Sequence, residues 1–181
     1  MAIQRLIIDG YGQIEPNNVT FTRDGRVEAQ CALAKEEGFI AENGMLLAVD
    51  VAKREVRLPK ENEDLPIALH YSSEKNYNQF APGFKNFFLD SKADRYPRMG
   101  YLTIGEVFTT NCICYDSDAF ADEEALKEAI AGVKEAPLYG TYSTIGAIQI
   151  SAEKPATAPA LKVAKATTMP DGQYAVEFQV L

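Results

Sequence analysis

Leu161-Lys-Val-Ala-Lys-Ala-Thr167, Met169-Pro-Asp-Gly-Gln173 and Tyr174-Ala-Val-Glu-Phe-Gln-Val-Leu181 form the stretch from which the fold class is read. Two β-prone runs flank a connector in which Pro170 presets the backbone and Asp171-Gly172 supplies the positive φ angle of a tight turn. That arrangement predicts a β-hairpin. The same design recurs upstream. Val19-Thr-Phe-Thr22 and Arg26-Val-Glu-Ala-Gln-Cys-Ala-Leu33 flank Arg23-Asp24-Gly25, which predicts a first hairpin. Met45-Leu-Leu-Ala-Val-Asp50 and Arg54-Glu-Val-Arg-Leu58, joined by Val51-Ala-Lys53, predict a second, its second arm alternating apolar and charged residues over one wet face.

Further short runs at 66–71, 84–89, 101–104, 106–115 and 142–151 are each bounded by Gly, Pro, Asn or Asp. They bring the expected total to roughly ten or eleven strands, a spacing that favours a barrel or sandwich built of hairpins over alternating β-α units. One amphipathic helix, about 122–134, interrupts this mainly β reading. Asp122 caps it, Glu123 and Glu124 occupy its first turn, Lys134 its last, and Leu126, Ala129, Ile130 and Val133 form an apolar stripe that should lie on the sheet. Segments 72–83, 91–99 and 151–160 read as surface loops. The whole of 1–181 reads as a single domain, with residues 1–12 as an extended N-terminal arm.

With 26 Asp and Glu against 18 Lys and Arg, the 181-residue chain carries a net charge of −8 and has no basic run. Neutralising phosphates needs clustered cations, so direct nucleic-acid binding is not expected. The N-terminus lacks the long apolar core and cleavage site of a signal peptide, and no run of about 20 apolar residues is present to span a membrane. These features place synthesis and maturation in a cytoplasm.

No cluster in the sequence specifies a reaction, so no catalytic, cofactor-binding or metal-ligating residue is assigned. Cys31, Cys112 and Cys114 are odd in number and lack the spacing and imidazole partners of a zinc site, and read as small buried thiols. The sole histidine, His70, shares strand parity with Ala68 and Ser72 and reads as a satisfied or surface-facing side chain rather than a general base. Glu61-Asn-Glu-Asp64 and Asp116-Ser-Asp118 resemble fragments of calcium loops without the twelve-residue pattern. Gly10-Tyr-Gly12 lacks the third glycine and following helix of a dinucleotide site. Asn18-Val19-Thr20 is read as a chance glycosylation match.

Two apolar features remain as candidate partner contacts. Ile3, Leu6, Ile7 and Ile8 precede the first predicted hairpin, and either add a strand to a neighbouring subunit or form an edge strand of their own sheet. Tyr77, Phe80, Phe84, Phe87 and Phe88 lie in an aromatic-rich section that continues to Tyr96 and Tyr101, and serve either the core or a subunit interface.

The order of elements carries a resemblance. An arm and hairpin are followed by Glu42-Asn-Gly-Met-Leu-Leu-Ala-Val-Asp50, Leu65-Pro-Ile-Ala-Leu-His70, Met99-Gly-Tyr-Leu-Thr-Ile-Gly-Glu-Val-Phe-Thr-Thr110, Ile145-Gly-Ala-Ile148 and Pro170-Asp-Gly-Gln-Tyr-Ala-Val176. From about residue 10 onward this layout resembles capsid-associated structural proteins of tailed bacteriophages, in particular the head decoration (cement) type. The resemblance implies a non-enzymatic protein, without cofactor, bound outside an icosahedral shell and fastening adjacent major capsid proteins. It implies the major capsid protein and copies of itself as partners, and a virion location reached from the host cytoplasm. Segment 122–134 and its preceding Asp-rich loop lie outside the pattern. Two alternatives stay open: a tail, baseplate or head-fibre component of the virion, and a small-ligand-binding β barrel or hydrolase using acidic loops and His70.

Overall fold

The computed structural model describes residues 2–35, 37–72 and 85–181. In chain order the elements are β1 (Ile3–Arg5), β2 (Ile14–Glu15), α1 (Thr20–Asp24), β3 (Ala32–Leu33), β4 (Ile40–Glu42), β5 (Leu46–Asp50), β6 (Glu55–Arg57) and β7 (Ile67–His70). There follow β8 (Phe88–Asp90), β9 (Met99–Gly100), β10 (Val107–Thr110), β11 (Ile113–Asp116), α2 (Glu123–Ala131), β12 (Tyr139–Tyr142), β13 (Ile148–Ser151), β14 (Leu161–Thr168) and β15 (Tyr174–Val180). The fold is mainly β, with several sheets, one of them a half-barrel, and the largest has eight strands.

That sheet has eight strands in the order β1-β11-β13-β12-β14-β15-β10-β2. The C-terminal hairpin sits in its interior, β14 and β15 pairing from Leu161↔Val180 to Thr168↔Tyr174. Its turn closes as predicted: the Met169 N–H donates to the Gln173 carbonyl at 2.8 Å, and Gly172 takes φ +89°. Phe108 of β10 and Phe178 of β15, with ring centroids 5.7 Å apart, form a buried core with Ile113, Ile148, Leu161 and Val176. α2 packs against β14 through buried Leu126 and Ile130. Asp122 Oδ1 accepts the Ala125 N–H at 2.9 Å, the expected N-cap. The helix ends at Ala131, so Lys134 stands beyond its last turn.

A second sheet runs β3-β6-β5-β7-β9, and it includes the predicted hairpin of β5 and β6. Segment 28–34 links its two ends. On one side the Ala32 and Ala34 N–H groups donate to Arg54 and Val56; on the other, Glu28 and Met99 exchange both backbone bonds at 2.8 Å and the Leu33 N–H donates to Arg95. A second core of Leu33, Leu47, Val49, Val56, Ala68 and Met99 extends to Cys112, Cys114 and Ala147 of the first sheet. β4 and β8 form a separate two-stranded ribbon.

Four local expectations are corrected. Around Asp24-Gly25 the chain forms α1, not a hairpin: Gly25, at φ +68°, ends a helix, a task that needs the same left-handed backbone as a tight turn. Buried Glu106 favours the helix by accepting the Thr20 N–H at 2.7 Å at its first turn. Run 106–115 is two strands, because the Thr110 hydroxyl takes the Cys112 N–H at 3.0 Å and the Asn111 side chain takes the Gln13 N–H at 2.7 Å, replacing ladder bonds with a corner. Run 142–151 is split by a turn in which Gly146 takes φ +80° and its N–H donates to Ser143. At 101–104 no strand forms; β9 ends at Gly100, against which the Phe21 ring lies flush.

Candidate assembly surface

The N-terminal segment is held to the body by a partly buried polar knot. Arg5, on β1, donates through both terminal nitrogens to the two oxygens of Glu42, at the end of β4, one contact being 2.6 Å. The same carboxylate accepts the Gly12 N–H. A side chain at residue 12 would meet the Asn43 carbonyl at 2.6 Å, so only glycine admits this close approach. His70, at the end of β7, is fully buried beside the knot. Its Nδ1–H donates to the Glu42 carbonyl at 2.8 Å, and Nε2 accepts from the Ser72 hydroxyl at 2.6 Å. Ser72 Oγ in turn accepts the Arg98 N–H, and the Ser72 N–H donates to Asn43 Oδ1.

Burial pushes the His70 imidazole down to about 4, against the opposing pull of its Glu42 carbonyl bond and the Glu42 charge. Burial also drives the Cys112 and Cys114 thiols up to about 12, where they are protonated at neutral pH. Glu63, in the acidic loop after β6, is also committed. Arg57 forks onto it at 2.7 and 2.9 Å, and the Lys60 and Leu65 N–H groups donate to it. Among the described residues no three His, Cys, Asp or Glu side chains converge as ligands for a metal ion.

Beyond Arg5 the chain is clasped by the turn that joins β14 and β15. The Asp9 N–H donates to Gln173 Oε1 at 2.7 Å while Gln173 Nε2 donates to the Asp9 carbonyl at 3.0 Å, so the side-chain amide pairs with the backbone as another peptide would. Asp171 accepts from Gln13 Nε2 at 2.8 Å, and Lys85 forms an ion pair with Asp9. The Tyr11 N–H donates to the Lys85 carbonyl at 2.7 Å, and the Tyr11 ring lies 4.5 Å from that of Phe88.

The candidate contact residues fall in different environments. Ile3 is half-buried on β1, an edge strand of the eight-stranded sheet. Leu6 lies in the core, Ile8 packs against it, and Ile7 is 85% exposed. Phe87 is half-buried and Phe88 exposed. Tyr77, Phe80 and Phe84 lie outside the described residues. Tyr96, Tyr101 and Ile104 are further exposed large side chains. The sequence marks the Arg5–Glu42–His70 knot only by one charge of each sign set in short, mostly apolar stretches.

No protein-family model matches the chain, and no curated protein is significantly similar to it.

Proposed function

We propose that the protein is a non-enzymatic structural component of a phage virion that binds the outer capsid surface and stabilises contacts between major capsid proteins. The reading rests on the resemblance in layout and on one structural observation: the disposal of its polar and apolar groups. His70, Glu42, Cys112 and Cys114, whose side chains would suit turnover, are enclosed, and His70 and Glu42 are engaged by neighbouring groups. Ile7, Tyr96, Tyr101 and Ile104 stand in solvent instead, a distribution that suits adhesion. Weak contacts of this kind add up when a lattice presents many copies of a partner. An acidic exterior keeps free copies soluble during assembly in the host cytoplasm.

The test is cosedimentation of the purified chain with assembled phage shells, followed by heating of loaded and bare particles. Saturable binding at stoichiometric occupancy, with a raised rupture temperature, is expected. Binding to no intact shell, or rupture unchanged by the bound protein, overturns the reading; density on the tail, baseplate or fibre base in particle images replaces the capsid with those sites.

A further inference from the structure

The ladder between β1 and β11 determines which backbone groups of the edge strand are available. The Ser117 N–H donates to the Ala2 carbonyl at 3.2 Å and the Leu6 N–H to the Ile113 carbonyl at 3.0 Å, in one continuous register. Ala2, Gln4 and Leu6 thus turn their backbone groups toward β11, and in antiparallel pairing the residues between them turn theirs away. The N–H and C=O groups of Ile3 and Arg5 point outward, and no described residue pairs with them. The free ladder ends at Ile7, whose N–H is taken by Glu123 at 3.0 Å.

Charge brackets this edge at both ends. Asp116 and Asp118 flank Ser117 beside Ala2, and Asp122, Glu123 and Glu124 open α2 beside Ile7. Lys127, the one cation between residues 116 and 127, forms ion pairs with Glu123 at 2.8 Å and Glu124 at 3.0 Å, which leaves Asp116, Asp118 and Asp122 without a cationic partner among the described residues. Native edges are usually blunted by proline, a bulge or a projecting lysine. Here the strand carries none of these, and the Arg5 guanidinium is drawn aside to Glu42. Beside the edge stands the exposed Ile7 side chain.

We infer that the outer edge of β1 accepts an extended, lysine- or arginine-bearing segment of a partner as an added strand. The inference rests on the proposed binding role and names the partner chemistry at that surface. A second copy of this chain is a poor occupant, since edge-to-edge pairing opposes two acidic brackets on molecules of net charge −8.

The test titrates the full chain with the capped hexapeptide Lys-Val-Lys-Val-Lys-Val and with its Glu-for-Lys counterpart. The lysine peptide is expected to bind, more weakly as salt rises, and the glutamate peptide not to bind. Ile3→Pro deletes an outward N–H and no β11 bond, so the folded variant should lose affinity by about tenfold or more. Asp118→Lys, at an exposed position, should weaken the lysine peptide and admit the glutamate peptide, and it decides the matter if Ile3→Pro does not fold. No binding of the lysine peptide, equal binding of both peptides, unchanged affinity in folded Ile3→Pro, or a dimer in place of peptide binding overturns the inference. Shells bound equally well by folded Ile3→Pro overturn the edge and leave the capsid role standing. Peptide binding without shell binding does the reverse.

Discussion

Arg5 and Glu42, 37 residues apart, meet as a two-pronged ion pair that fastens the edge strand of the large sheet to the two-stranded ribbon. Glu42 is almost wholly buried and Arg5 about one-third exposed. Replacing Arg5 by Ala leaves the Glu42 carboxylate with the Gly12 N–H as its remaining partner among the described residues, so a loss of about 2–4 kcal/mol is expected in urea unfolding. Arg5→Leu combined with Glu42→Leu should cost less than the sum of the two single changes, because neither charge is then stranded.

His70 sets one acid limit on stability. Its folded value of about 4 lies below the ordinary 6.5, so between these pH values the unfolded chain binds the extra proton. Stability contributed by the neutral imidazole is complete above about pH 6.5 and declines as pH falls toward 4, by on the order of 2–3 kcal/mol. Unfolding midpoints measured across this window should flatten in His70→Gln.

Glu63 sets a second, separate limit. Burial opposes its charge, but the Arg57 fork and the Lys60 and Leu65 N–H groups outweigh that and hold it at about 2. Its contribution is present above about pH 4.5 and is lost as pH falls toward 2. Glu63→Gln should remove that lower step and leave the His70 step intact.

The contact between Gly100 and Phe21 admits no extra atom: a Cβ on Gly100 would lie 2.2 Å from the ring. Gly100→Ala should cost about 1–3 kcal/mol or more through overpacking. Phe21→Leu in the same chain should recover part of the loss in thermal unfolding, which separates a steric cause from a backbone one.

Gln173 pairs with both backbone groups of Asp9. Gln173→Ala should speed hydrogen exchange at the Asp9 amide while leaving exchange in β14 and β15 near its original rate, as read by amide-resolved exchange.

The parts of the fold legible in the sequence are those specified locally. Pro170-Asp171-Gly172 between two long β-prone runs defines the central hairpin, and Asp122 with the Leu126 and Ile130 stripe defines α2. Gly25 misleads because a positive φ serves a helix end as readily as a hairpin, and the choice is made by distant Glu106. The candidate surface is less legible still. Leu6 and Ile7 are adjacent apolar residues, yet one is in the core and the other in solvent. A strand as short as β1 acquires an inside and an outside only when β11, more than a hundred residues later, pairs with it.

The placement of β14 and β15 has a consequence for the nascent chain. Synthesis delivers β1, β11, β13 and β12 on one side, and β10 and β2 on the other, before the two strands that belong between them. Until those strands emerge, β12 and β10 are raw rims of two partial sheets, each a template for stray pairing. The hairpin is the keystone set last in the arch, and any delay in its arrival lengthens the period during which those rims stand unpaired.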